Sequence, residues 1–108
     1  MPYFWLKYEE VEAMGLISRE RTKAYFDWAA VREPYKSKEL TLSNGVFVES
    51  CGRHRGDGQI QLFVGVYTAE GKPVLEDYTS DVQGMTVDEA IDWGMDRAKS
   101  IGNGQKSS

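Results

Sequence analysis

The spacing of apolar positions along this chain changes twice, from a helical period to an alternating one and back. Up to residue 33 it is helical. Residues 8–14, "YEEVEAM", form a short amphipathic stretch closed by Gly15, which is free to take the left-handed conformation at a helix end. Ser18 suits the N-cap of a second helix over 19–33, "RERTKAYFDWAAVRE", whose apolar stripe is Ala24, Tyr25, Trp28, Ala29 and Val31. Pro34 stops that helix, because the residue before a proline is pushed out of the helical region. From residue 39 the pattern alternates: "ELTLS" and "VFVESC" flank Asn44-Gly45, a strong hairpin signal. "QIQLFVGVYT" (59–68) reads as a long strand, "AEGK" as a turn, and "PVLEDYTS" (73–80) as a shorter edge strand with Pro73 at its start, where proline is tolerated.

The last element has the most complete local signature. Thr86 followed by Glu89 makes a capping box, and Asp88 and Glu89 in the first turn complement the helix dipole. Val87, Ile91, Gly94, Met95, Ala98 and Ile101 share one face, which predicts a helix over 86–101. The expected fold is therefore α+β: an N-terminal helical pair, a three- or four-stranded antiparallel meander and a C-terminal helix packed on the sheet. One domain is expected over 1–101, with 102–108, "GNGQKSS", as a disordered tail. If Ile60, Leu62, Val64 and Val66 face the last helix, then Gln61, Phe63 and Tyr67 face away. An open aromatic sheet face would be a stacking platform for single-stranded bases. Tyr3, Phe4, Trp5, Phe26 and Trp28 also need a surface to pack on, so the expectation is that this second face is covered.

Composition adds limits. With 41% hydrophobic and 28% charged residues in 108, the chain suits one globular domain. No apolar run approaches the roughly 20 residues a membrane span needs. The start, "MPYFWLKYEE", does not have the layout of a secretory signal, and a lone cysteine cannot form an internal disulfide, so a cytoplasmic setting is expected. The net charge of −4 is uneven: residues 1–38 carry seven Lys/Arg against six Asp/Glu, and the remainder six against eleven. Such a field does not steer the whole molecule to nucleic acid.

Chemistry concentrates in "ESCGRHRGDG", residues 49–58, which holds the only cysteine and the only histidine. Gly52, Gly56 and Gly58 read as positions for the positive φ of a tight connection between strands. Cys51 and His54 are too few for a structural zinc site, and Cys51 reads as a small buried residue rather than a nucleophile. An adhesion role for Arg55-Gly56-Asp57 would require an extracellular setting. Arg53, His54 and Arg55 remain as the cations of this turn, which is either a solvated loop tip or a contact loop. No metal, cofactor or catalytic residue is assigned.

Two further features point to partners. "YEEVEAMGLISRERTKAYFDW" resembles a helix-turn-helix, in which Arg19, Arg21 and Lys23 would meet nucleic acid across residues 8–33, although Glu20 and Asp27 sit among those cations. The helix–strands–helix order is also similar to the double-stranded RNA-binding domain. That family opens its last helix with lysines, whereas this chain has the acids of "MTVDEAIDWG" there. Trp93 lies outside the apolar stripe of the last helix, near Arg97, which makes the pair either a local cation–π contact or a partner-binding flank. The leading expectation is a small non-enzymatic accessory protein that binds another protein, or itself, through Trp93, Arg97, Arg53, His54 and Arg55. Nucleic-acid binding through Arg19, Arg21 and Lys23 is the alternative.

Overall fold

The computed structural model describes residues 19–55 and 58–105. A short helix, α1 (Lys23–Ala29), is followed by four strands, β1 (Lys36–Thr41), β2 (Phe47–His54), β3 (Ile60–Tyr67) and β4 (Pro73–Thr79), and by a long helix, α2 (Val87–Asn103). The strands form one antiparallel sheet in the order β1-β2-β3-β4, a simple meander.

Asn44-Gly45 turns β1 into β2 as expected, with Gly45 at φ 89°. The same turn ties down the far helix: the Asn44 side-chain amide donates to the carbonyl oxygens of Gly102 and Gln105 at 2.9 and 3.2 Å, satisfying groups that a helix end leaves open. α2 therefore continues through Asn103 with Gly102 buried, past the expected boundary at 101. Its start is the predicted capping box, with Thr86 and Glu89 bonding reciprocally.

Alternation along the strands builds two faces. Val48, Leu62, Val64 and Val66 pack against Ala90, Met95 and Ala98 of α2 to form the main core. The buried Val, Leu and Met side chains among them contribute roughly 1.5–3 kcal/mol each. Ser50 donates to the Ile91 carbonyl at 2.9 Å, so its polar position beneath the helix is satisfied. Glycine sets the helix–sheet distance: a Cβ on Gly52 would stand 2.8 Å from Ile91 Cγ1, and one on Gly94 2.9 Å from Val64 Cγ2. On the opposite face Trp28 and Phe63 pack over Cys51, flanked by Tyr25 and Tyr78, so α1 covers the β3–β4 side of that face.

The N-terminal helical pair is not supported. Its first member, 8–14, lies outside the described residues, as do Tyr3, Phe4 and Trp5. Its second, expected over 19–33, is reduced to Lys23–Ala29 with Thr22 rather than Ser18 as N-cap. Bonds from elsewhere in the chain explain both ends. Glu20 N donates to the Gly71 carbonyl at 2.9 Å, and Thr22 donates to Glu76 from both its backbone and its hydroxyl, which holds 19–22 extended on the sheet. At the other end Arg53 draws on the carbonyls of Trp28 and Val31 at 2.7 and 3.2 Å. Tertiary bonding here overrides helix propensity.

Candidate functional site

β2 runs through His54, which changes the reading of the Cys-Gly-Arg-His-Arg stretch. Gly52 is a strand residue that permits the close approach of Ile91, and among the described residues of 49–58 only Gly58 takes a positive φ, 90°. Arg53 is not part of a contact loop. It shares the β2 face of Cys51 and Glu49, is 2% exposed, and stacks with its Cζ 3.7 Å from the Trp28 ring centroid. Its remaining donors go to Gln61 Oε1 at 2.7 Å and the Tyr78 hydroxyl at 3.3 Å. Strand parity sends Arg53 inward and leaves only His54 and Arg55 beside solvent, with His54 exposed and Arg55 half-buried.

Two of the three expected nucleic-acid residues, Arg19 and Arg21, are also engaged within the fold. Arg19 and Arg21 precede α1 instead of riding on it. Arg19 Cζ lies 4.3 Å over the Phe47 ring, and its Nε is buried without a hydrogen-bond partner. Arg21 donates to Glu49 and to the Tyr67 hydroxyl, both at 2.8 Å, and lies 3.6 Å from Glu76. Tyr67 in turn bonds Glu49 at 3.1 Å and also bonds Glu76, and its ring lies over Gly65, where a Cβ would clash. Burial raises the Tyr67 phenol well above its ordinary value, reinforced by Glu49 and the Glu76 bond. Lys23 is exposed and paired with Asp27 at 2.7 Å. Cys51 is a free, buried thiol, pushed up by burial and then by Glu49, so it is a poor nucleophile.

Trp93 stands 47% exposed on α2, with Arg97 Cζ 5.9 Å from its ring centroid. Arg97 also reaches Asp77 of β4 at 2.6 Å. This flank lies on the β4 side of the helix, away from His54 and Arg55, so the sequence-predicted residues do not form one surface.

The structure brings together a different set. Among the described residues β1 is exposed along all six positions and is paired on one side only, with β2. α2 packs chiefly over β2 and β3 and barely meets β1, leaving a trough between the open strand and the helix. Lys36, Lys38 and Leu40 share the helix-facing register with Gly52, Ser50 and Val48, and so line its outer wall. Three adjoining depressions follow it. A cleft of about 580 Å³ at the head involves Tyr35, Lys36, His54, Arg55, Val87 and Asp88. A middle section of about 380 Å³ lies between Lys36, Lys38, Ile91 and Asp92, and a foot of about 280 Å³ lies between Lys38, Leu40, Met95 and Lys99. Lys36–Asp88 at 3.2 Å and Lys38–Asp92 at 2.5 Å bridge the trough as exposed ion pairs. The Asp92 bond holds the Lys38 ammonium above its ordinary value. Sequence reading missed this site because "KSKELT" has no chemical motif; its edge position is a property of the assembled sheet.

Among the described residues no His/Cys/Asp/Glu group is arranged to hold a metal ion, and no helix is long and apolar enough to cross a membrane. No protein-family model, curated protein or solved structure matches the chain.

Proposed function

We propose that this is a non-enzymatic binding protein that takes an extended segment of a partner protein along β1, as an added strand. The observation that carries the reading is the fully exposed edge strand running beside a trough under α2. An open edge offers a row of unpaired peptide groups, and proteins commonly cover or blunt such edges when they have no use for them. Strand addition draws affinity from main-chain hydrogen bonds and specificity from pockets for alternate side chains. The two lysines facing the trough keep the edge soluble without closing it, since exposed ion pairs contribute only about 0–1 kcal/mol. The Trp93–Arg97 flank supplies a second surface, favoured by the exposure of the indole.

Selection of an unbiased displayed peptide library on the wild type and on Glu39→Pro tests the reading. Proline on an edge strand is tolerated where the lost N–H faces solvent. Peptides that shift the backbone amides of residues 36–41 and lose binding to the variant are the expected result. Binders that retain affinity for Glu39→Pro, or whose shifts map to Trp93 instead, overturn it.

A further inference from the structure

We infer that the segment received by this trough is antiparallel to β1 and carries carboxylates opposite Lys36 and Lys38, an apolar side chain opposite Leu40 and a cation opposite Glu39. The inference rests on the strand-addition reading and adds the partner's chemistry to it.

The direction of the peptide groups comes first. Leu42 N donates to the Val46 carbonyl at 2.8 Å, so the backbone groups of Leu42 point toward β2. By alternation those of Leu40, Lys38 and Lys36 do the same, and those of Ser37, Glu39 and Thr41 point outward. An antiparallel newcomer therefore makes its hydrogen-bonded pairs at Ser37, Glu39 and Thr41. Its non-hydrogen-bonded pairs fall at Lys36, Lys38 and Leu40, where the strands bring side chains closest together. The positions facing the trough are thus the ones at which side-chain chemistry is read most strictly.

The lysines already show which ligand they take, because each holds an aspartate of α2. All four of those side chains are well exposed, so a partner carboxylate can exchange into the pair. At the head of the trough the cleft adds His54 and Arg55, neither of which makes an ion pair among the described residues, beside the carboxylates of Glu33 and Asp88.

A second copy of the chain does not meet this requirement. The two antiparallel self-pairings with the longest overlap pivot on Lys38 or on Glu39 and set like charges directly opposite each other. Like charges in that position destabilise a strand pair. The edge is built against itself and in favour of a partner of complementary pattern.

Two capped synthetic peptides test this on the labelled full chain by amide shifts: Thr-Val-Lys-Glu-Thr-Glu, complementary from Thr41 to Lys36, and Thr-Val-Glu-Lys-Thr-Lys, its charge reversal. The expected result is saturable shifts at residues 36–41 with the first peptide and about tenfold weaker binding of the second. Lys38→Glu should narrow or invert that preference. Equal binding of both peptides at β1 overturns the charge pattern while leaving strand addition standing. Absence of shifts at β1 with either peptide overturns both.

Discussion

Replacing Arg53 by methionine keeps most of the volume beneath Trp28 but removes every donor. Gln61 Oε1 then loses its buried donor, the part-buried Val31 carbonyl loses its bond, and the Trp28 carbonyl keeps only the longer bond from Val31 N at 3.4 Å. Such losses cost about 1–3 kcal/mol for each unsatisfied group and more where a charge held the site, so Arg53→Met should lower unfolding stability by about 2–4 kcal/mol. Arg55→Met, two residues on and half-exposed, should change it by less than about 0.5 kcal/mol. Urea midpoints of the two variants check the contrast. Nothing in the local sequence separates these arginines; the difference comes from strand parity, which places Arg53 with Cys51 and Glu49 and opposite Gln61. The alternation "VFVESC" places the end of β2 at Cys51, three residues short of its true end at His54, and so assigns Arg53 to a loop. Cys51 itself was legible as a small buried residue, and its apolar company of Trp28 and Phe63 bears that out.

The elements differ in how far local sequence determines them. α2 was readable almost to the residue, because its capping box, first-turn acids and apolar stripe are all encoded within it. The hairpin at Asn44-Gly45 and the Pro73 strand were readable for the same reason. α1 was not, since its ends are decided by Glu76, Gly71 and Arg53, all distant in sequence. Gly94 of α2 sets local and tertiary preferences against each other. Alanine there gains about 1 kcal/mol of helix propensity. It also drives a methyl group into Val64 at 2.9 Å and into the Ser50 hydroxyl that holds the Ile91 carbonyl. The clash should win, leaving Gly94→Ala less stable than wild type by roughly 1–3 kcal/mol in thermal or urea unfolding. Thr86→Ala should cost about 1 kcal/mol through loss of the cap alone.

The molecule as a whole should be sensitive to alkali. Burial raises the Cys51 thiol above its ordinary 9.0 and the Tyr67 phenol above its ordinary 10.0 in the folded state. Below about pH 8 both groups are protonated whether the chain is folded or not, and stability is unaffected by either. Above it the unfolded chain releases these protons while the folded chain retains them, so stability falls as pH rises, by at most about 1.4 kcal/mol per pH unit for each group. Urea midpoints between pH 8 and 11 should show this decline, and Cys51→Ala should make its first part shallower. The meander also has a consequence for how the domain opens. Because spatial order follows chain order, β1 can detach without breaking any pairing among β2, β3 and β4. Among the described residues it is held by one ladder and two exposed ion pairs, whereas β2 and β3 are paired on both sides beneath α2. Amide hydrogens of Lys36–Thr41 should therefore exchange with solvent faster than those at the centre of the sheet. A bound strand would give β1 a second ladder and slow that exchange, so occupancy would register as protection of a segment that otherwise frays first.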